Sequence, residues 1–204
     1  MILADGAARV VAMGSLLMLE VEVKYAGAEF AAVERRLHQW GAAEDPPRTD
    51  ADHYFNAPDR DFAATDEALR LRRIGERNFV TYKGPKRDAQ TKTRTEIEVA
   101  IAPGDAAAAD FSRLLVQLGY RPVAVVRKAR RLFHLHRGGF ALEVTLDDVE
   151  GVGRFAELEI QAPEEEFDAA RGVLLQTAGE LGLSASERRS YLELLLAARG
   201  GGQS

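Results

Sequence analysis

The most informative absence in this sequence of 204 residues is cysteine, which does not occur at all. Disulfides, thiolate nucleophiles, zinc–thiolate sites and iron–sulfur clusters are therefore excluded. The four histidines do not follow the spacing of a metal site. No apolar run reaches the roughly 18 residues that a membrane-spanning helix needs. These absences favour a protein of a reducing compartment, and we expect it in the cytoplasm without a membrane partner.

The net charge of −5 is modest, but the charges are unevenly distributed along the chain. Residues 70–94 carry nine basic and two acidic side chains, and residues 127–137 carry five basic and no acidic ones. Residues 143–168 carry ten acidic side chains against one basic. The negative total argues against a nucleic-acid partner. The two basic stretches and the acidic one indicate a protein that can hold an anion together with a cation, unless they are simply solvated faces.

Hydrophobic spacing divides the chain into many short strands and four helices. Apolar and polar residues alternate in the segments predicted as strands, which are 18–25, 52–56, 68–74, 78–83, 92–101, 121–128, 130–137, 140–147 and 154–161. Helical spacing occurs at 28–40, 103–119, 163–181 and 186–198, and Gly138-Gly139 predicts a hairpin turn. This order predicts an α+β fold with a largely antiparallel sheet. We expect one domain over residues 18–198, a disordered extension before it (1–17) and a flexible tail after it (199–204).

Most of the predicted strands have one apolar face and one face rich in charge, because successive side chains point to opposite sides. The first strand shows the pattern, with Glu20, Glu22 and Lys24 on one face. An open sheet with a wet outer side would account for this pattern. A sheet that turns its charged face inward and closes would instead form a polar tunnel, whose acids and bases are neutralised by each other and by ligands.

The residue types on the charged faces indicate what such a tunnel would bind. Paired carboxylates suit a hard divalent cation such as Mg²⁺ or Mn²⁺. Clustered arginine and lysine side chains suit phosphate oxygens. Carboxylates, a metal ion and guanidinium groups together are the components of phosphoryl or nucleotidyl transfer.

The strand Glu20-Val-Glu22-Val-Lys24 resembles the Glu-x-Glu-x-Lys motif of the CYTH superfamily, the triphosphate tunnel metalloenzymes. This superfamily includes class IV (CyaB-type) adenylate cyclases, thiamine triphosphatases and inorganic triphosphatases. Further segments resemble the family in the same order along the chain, at 52–55, 68–72, 81–85, 94–98, 126–130, 146–159 and 189–193. The resemblance implies a closed eight-stranded antiparallel β-barrel with flanking helices, whose tunnel binds a triphosphate with Mg²⁺ or Mn²⁺.

The same resemblance implies roles for individual residues, motif by motif. The implied metal ligands are acidic and comprise Glu20, Glu22, Asp147, Glu157 and Glu159. The implied phosphate-binding residues are basic and comprise Lys24, Arg70, Arg72, Lys83, Lys128, Arg130 and Arg189. The residues expected to be catalytic are Lys24, Asp147 and Glu157, with one of the two carboxylates orienting the nucleophile.

The resemblance is nearest to the class IV adenylate cyclase-like branch, which converts ATP to cyclic AMP and pyrophosphate. Class IV cyclases carry a His-Phe pair just before the Glu-x-Glu-x-Lys strand, and residues 14–19 contain no such pair. A triphosphatase that hydrolyses inorganic tripolyphosphate, thiamine triphosphate or a nucleoside triphosphate is therefore one alternative. A non-catalytic sensor of polyphosphate or nucleotide is another. In each case the expected partner is a small-molecule triphosphate, bound by a monomer or a homodimer.

Overall fold

The computed structural model describes residues 18–85 and 96–200 of the chain. Its strands are β1 (Met18–Ala26), β2 (Ala43–Glu44), β3 (Arg48–Asn56), β4 (Ala68–Ile74), β5 (Arg77–Lys83), β6 (Glu96–Ile101), β7 (Arg121–Arg137), β8 (Phe140–Val149) and β9 (Gly153–Pro163). Its helices are α1 (Phe30–Gln39), α2 (Asp105–Gln117), α3 (Phe167–Glu180) and α4 (Tyr191–Gly200). None of the helices in this part of the chain is long and apolar enough to cross a membrane.

Eight of the strands form one curled sheet in the order β1-β9-β8-β7-β3-β4-β5-β6, and the short β2 pairs with β7 beside that path. Every pairing is antiparallel. The α+β fold with an eight-stranded antiparallel sheet, expected from the sequence, is thus confirmed. The sheet is curled into a half-barrel, in which β1 and β6 are the two ends. Within residues 18–85 and 96–200, no ladder joins these two ends into the closed ring that the resemblance implies.

The apolar face of β1, β8 and β9 is covered by α1 and α3. Val23, Val144 and Leu158 of these strands belong to the same buried cluster as Leu37 of α1 and Leu174 of α3. Each of these side chains is at most 7% exposed. Burial of one such side chain contributes roughly 1.5–3 kcal/mol, so this contact fixes which face of the strands turns outward toward the helices.

Helix α2 covers the apolar face of the other half of the sheet in the same way. Ala108 and Leu115 of α2 pack on Phe55 of β3 and Leu71 of β4. Because helices occupy the apolar face on both halves, the charged faces of the strands are left to line the concave side of the curled sheet.

The element boundaries differ from the sequence prediction at several places. Residues 121–137 form one strand instead of two, since no turn residue interrupts its middle and the pairing with β3 passes directly into the pairing with β8. Helix α3 begins at Phe167 because Pro163 still belongs to β9, and α4 begins only at Tyr191. The two-residue strand β2 was not predicted. The predicted extension at 1–17, residues 92–95 of a predicted strand, and residues 201–204 of the predicted tail lie outside the described residues.

Candidate active site

The charged strand faces line one cavity of about 330 Å³ on the concave side of the sheet. Strands β1, β8 and β9 supply the acidic half of the cavity, which consists of Glu20, Glu22, Glu143, Glu157 and Glu159. Strands β3, β4, β5 and β7 supply the basic half, which consists of Arg48, Arg70, Arg72, Lys83, Lys128 and Arg130. The structure therefore brings together most of the residues that the sequence indicated as metal or phosphate ligands.

The buried carboxylate of Asp52 on β3 fixes the orientation of the arginines of β4. It is 1% exposed, and Arg72 donates two hydrogen bonds of 2.7 and 2.8 Å to its two carboxylate oxygens. Arg70 Nη1 and Lys128 Nζ lie 3.6 and 3.7 Å from its Oδ2 atom. Burial acts to raise the pKa of Asp52, but the charges of Arg70 and Lys128 and the bonds from Arg72 outweigh it and hold the pKa well below its usual range.

Asp147 on β8 supports the bases of β7 in a similar way. Arg130 donates hydrogen bonds of 2.7 and 2.5 Å to the two oxygens of Asp147, which is fully buried. Burial acts to raise the pKa of Asp147, but the charges of Lys128 and Arg130 lower it overall. The carboxylate lies behind these bases and is not among the groups that line the cavity. The geometry therefore favours Asp147 as a residue that positions Arg130, in place of the metal ligand implied by the motif.

Lys128 lies between the two buried aspartates. Its Nζ atom is 3.7 Å from Oδ2 of Asp52 and 3.7 Å from Oδ2 of Asp147. Burial and the charge of Arg130 lower the pKa of Lys128 to about 8, against the opposing charge of Asp147. An anion in the cavity would favour the charged form of this amine, so the basic half is suited to phosphate groups.

In the acidic half, glutamates oppose each other directly across three strands. Glu22 on β1 is the register partner of Glu159 on β9, and Glu159 is the register partner of Glu143 on β8. Like charges directly opposite in a sheet repel each other. Burial, with the charges of Glu20 and Glu22, raises the pKa of Glu159 to about 9. Burial also raises the pKa of Glu20 to about 7, although the charge of Lys83 opposes the shift.

This repulsion makes the acidic half suited to a cation. Within the described residues, no three acidic or histidine side chains are already arranged around a common metal position. Mg²⁺ is commonly held by only one or two carboxylates together with substrate phosphates. The cross-strand pair of Glu22 and Glu159, with Glu20 two residues along β1, offers the hard oxygen donors of such a site. The residues present thus fit a divalent metal that also contacts a phosphate.

Lys83 lies at the end of the basic half, where β5 ends. It donates a hydrogen bond to Glu96 of β6, and both side chains line the cavity. Burial and the charge of Arg70 lower the pKa of Lys83, against the charges of Glu96 and Glu20. Lys83 therefore joins the end of the basic half to β6, and its charge also acts on Glu20 of β1.

Two of the predicted phosphate-binding residues lie away from the cavity lining. Lys24 is 2% exposed and donates a hydrogen bond to the backbone carbonyl of Arg189. Its cross-strand partner is Glu157. The guanidinium of Arg189 donates bonds of 3.0 and 2.6 Å to Glu187 and is 57% exposed. The structure thus brings the backbone of Arg189, and not its charged side chain, toward the site.

Sequence reasoning missed Asp50, Asp52 and Tyr191 as site residues. The predicted strand began at residue 52, whereas β3 begins at Arg48, so Asp50 was not placed on the charged face. The sequence could have indicated both aspartates, because Asp50 and Asp52 are two residues apart and therefore lie on the same face of a strand, the face that turns toward the bases. Oδ2 of Asp50 is buried and accepts no hydrogen bond from the residues that the structure describes. It lies 3.9 Å from Nε of Arg72 and 3.9 Å from Nε of Arg130.

The arrangement of these residues agrees with a comparison against known protein families. The family model described as the CYTH domain matches residues 18–191. This chain belongs to the CYTH family. The resemblance seen in the sequence motifs is thereby confirmed.

Relatives of this CYTH protein match it over most of their length. The protein named "Putative adenylate cyclase MJ0240" from Methanocaldococcus jannaschii is 38% identical over 180 residues, which are 87% of this chain and 98% of the relative. Adenylate cyclase CyaB from Aeromonas hydrophila is 34% identical over 183 residues, which are 86% of this chain and 87% of the relative. The structure of the PH1819 protein from Pyrococcus horikoshii is similar with a TM-score of 0.77 and 38% identity, and the match covers 87% of this chain and 98% of that one.

Proposed function

We propose that this CYTH protein is a metal-dependent enzyme that acts on a triphosphate, and that its reaction is that of a class IV adenylate cyclase, in which ATP gives cyclic AMP and pyrophosphate. The observation that carries the proposal is that acidic and basic side chains from all eight strands of the curled sheet meet in one cavity. The names of the two relatives, MJ0240 and CyaB, support the cyclase type.

The basic half of the cavity is the proposed phosphate-binding surface. Arg72 and Arg130 are each held by two hydrogen bonds from their guanidinium groups to a buried aspartate. A guanidinium group that is fixed in this way needs little reorganisation when a phosphate oxygen arrives. Arg70, Lys83 and Lys128 add positive charge along the same surface, so that a chain of phosphate groups can be bound at several points.

The acidic half is the proposed metal side. Mg²⁺ or Mn²⁺ would be held by Glu22 and Glu159, with Glu20 beside them. When bound, the ion would offset charge that builds up on the phosphate oxygens. The directly opposed carboxylates support this assignment, because they repel each other unless a cation or a proton lies between them.

Glu157 lies where the two halves meet, 3.2 Å from Nη2 of Arg130. We assign to it the role of orienting the nucleophile and accepting its proton. In the cyclase reaction the ribose 3′-hydroxyl oxygen attacks the α-phosphorus, the bond from that phosphorus to the bridging oxygen breaks, and pyrophosphate leaves. The proton of the hydroxyl passes to Glu157. Asp147 and Lys24 would act indirectly, by fixing Arg130 and the segment at Arg189.

Hydrolysis is the second candidate reaction, and one sequence observation favours it. Residues 14–19, just before β1, lack the His-Phe pair that class IV cyclases carry in this place. With water in place of the ribose hydroxyl, the same phosphate and metal ligands would support a triphosphatase that acts on tripolyphosphate, thiamine triphosphate or a nucleoside triphosphate.

The decisive experiment offers ATP, thiamine triphosphate and inorganic tripolyphosphate to the protein with Mg²⁺ or Mn²⁺, and identifies the products by chromatography. Cyclic AMP with pyrophosphate supports the cyclase reaction, and orthophosphate supports hydrolysis. Tight binding of tripolyphosphate without any product with either metal would point to a non-catalytic sensor. Absence of both binding and product would contradict the proposal.

A further inference from the structure

Tyr191 is the first residue of α4, and its side chain reaches the cavity from the C-terminal end of the chain. It lines the cavity and is only 6% exposed. The start of α4 is fixed by a capping box, in which the backbone N–H of Glu193 donates to Ser190 Oγ at 3.1 Å and the backbone N–H of Ser190 donates to Glu193 Oε2 at 2.6 Å. The position of the Tyr191 ring is therefore set by local helix geometry.

The ring of Tyr191 is also held from the side of the sheet. The Nζ atom of Lys24 lies 4.3 Å from the ring centroid, and the Nζ atom of Lys128 lies 5.2 Å from it. Phe155 packs edge-on against the ring at a centroid distance of 5.1 Å. Two ammonium groups on one aromatic ring are favourable cation–π contacts. They hold the ring beside the ammonium groups of β1 and β7, of which Lys128 lines the cavity.

The hydroxyl oxygen of Tyr191 is buried, and among residues 18–85 and 96–200 it has no hydrogen-bond partner of normal geometry. The carboxylate of Asp147 lies close enough to interact with this hydroxyl, but it accepts its two bonds of normal geometry from Arg130 and none from Tyr191. Burial raises the pKa of Tyr191 well above its usual value, and the charges of Glu157 and Asp147 add to the shift. The hydroxyl therefore stays protonated and can serve as a donor. A buried donor without an acceptor is unfavourable, so the free protein bears a cost that a suitable ligand would remove.

We propose that Tyr191 is a substrate-binding residue whose hydroxyl donates a hydrogen bond to a non-bridging oxygen of the triphosphate. This inference rests on the proposed function, since it requires a phosphate group beside Lys128 and Arg130. A phosphate oxygen is a charged acceptor, and Lys128 and Arg130, which line the cavity with Tyr191, attract it to the part of the cavity that the Tyr191 ring reaches. Helix α4 would thereby contribute directly to substrate recognition.

The test compares Tyr191→Phe with the wild-type protein and with Tyr25→Phe. Tyr25 is equally buried, at 6% exposed, but lies in the core cluster outside the cavity, so its variant controls for the loss of a buried hydroxyl. The affinity for inorganic tripolyphosphate with Mg²⁺ is measured by calorimetry, and Tm is measured without ligand. We expect Tyr191→Phe to weaken binding roughly 10- to 100-fold, as expected for a lost hydrogen bond to a charged group.

The same variant should not lower Tm, because the hydroxyl that it removes makes no hydrogen bond of normal geometry with the described part of the chain. Tyr25→Phe should bind tripolyphosphate as the wild type does. Unchanged affinity of Tyr191→Phe in a protein whose wild type binds tripolyphosphate would overturn this inference and leave the proposed function intact. A lower Tm with unchanged affinity would instead assign Tyr191 a structural role. Failure of the wild-type protein to bind would overturn both proposals.

Discussion

Arg130 and Asp147 face each other in register across β7 and β8 and are joined by two hydrogen bonds, of 2.7 and 2.5 Å. Arg130 lines the cavity, whereas Asp147 lies behind it. In this pair the acid is buried, and the base lies at the cavity, where it can contact an anion. The pair of Asp52 and Arg72 on β3 and β4 repeats the arrangement. We infer that the buried aspartates fix the direction of the arginines before substrate binds.

The substitution Asp147→Asn tests whether this residue positions Arg130 or holds a metal. Removal of one partner from a buried ion pair leaves the other charge uncompensated, so we expect the free energy of unfolding to fall by roughly 3–5 kcal/mol. Affinity for tripolyphosphate should fall at least ~10-fold, since Arg130 loses its fixed orientation. Affinity for Mn²⁺ in the absence of phosphate should not change.

The exposed neighbour Asp148 provides the matched control. Its side chain is 51% exposed and pairs with Arg154 at 3.3 Å, so Asp148→Asn should leave stability and both affinities near those of the wild type. Urea unfolding and titration calorimetry supply the measurements. If Asp147→Asn lost Mn²⁺ affinity while retaining tripolyphosphate affinity, the motif-based role as a metal ligand would be restored.

One substitution in each half of the cavity tests the assignment of the acidic half to the metal and of the basic half to the triphosphate. Glu22→Gln should impair metal binding, and Arg72→Ala should impair triphosphate binding. Each should lower kcat by at least ~10²-fold in a protein that still folds, although Arg72→Ala should also lower the free energy of unfolding because the buried Asp52 loses a partner. The controls are Glu165→Gln and Arg35→Ala, which change exposed residues outside the cavity. Steady-state assays at saturating Mg²⁺, with circular dichroism as a check of folding, decide the result. Near-normal kcat in both cavity variants would remove these assignments.

Much of the site could be predicted because a strand has a period of two. That parity correctly placed Glu20 and Glu22 on one face of β1, and Arg70 and Arg72 on one face of β4. The segment 68–74 was predicted with the boundaries that the structure has. Strong alternation of apolar and charged residues leaves only one face that can be buried under helices, so both the strand and its orientation follow from the sequence.

The period of two does not predict how deeply a side chain is buried or how a loop is folded. Asp147 and Glu157 are both acids on charged faces, but only the contacts with Arg130 decide which one is buried behind the bases. Arg189 precedes α4 in a segment without periodicity, and its side chain pairs locally with Glu187. Tyr191 stands at the start of a helix whose sequence does not reveal which cavity the helix approaches. These outcomes depend on tertiary packing, which a single strand pattern does not encode.

The acidic half predicts an unusual dependence of stability on pH. The pKa of Glu159 rises from an ordinary 4.5 to about 9 in the folded protein, so the folded state binds this proton more tightly than the unfolded state. The resulting stabilisation is complete below the unfolded pKa and is lost as the pH rises toward the folded one. The free energy of unfolding of the metal-free protein should therefore decrease between about pH 5 and pH 9.

The variant Glu159→Gln and added metal both test this dependence. Glutamine is neutral at every pH, so the variant should show a shallower decrease in urea unfolding measured with EDTA at pH 5, 7 and 9. Mn²⁺ should stabilise the wild type most at high pH, because metal and proton compete for the same carboxylates. Glu165→Gln, an exposed glutamate variant, should follow the wild type. An equal slope in Glu159→Gln and wild type would show that this carboxylate does not carry the effect.

The hairpin between β7 and β8 provides a test of the fold that is independent of the site. Gly138 and Gly139 both have positive φ, of 57° and 89°, so alanine at either position is strained by roughly 1–2 kcal/mol. A Cβ atom on Gly138 would also clash with Cγ2 of Val173 on α3, whereas one on Gly139 would meet no atom of the described residues within 4 Å. Gly138→Ala should therefore destabilise the protein by roughly 1–3 kcal/mol more than Gly139→Ala.

The extra cost should depend on Val173, whose branched side chain has little rotamer freedom in a helix. Combining Gly138→Ala with Val173→Ala removes the clashing methyl group, so the double variant should lose less stability than the two single variants added together. Urea unfolding of the four variants gives this coupling energy directly. Additive losses, or equal costs at Gly138 and Gly139, would mean that α3 does not pack against this turn as described.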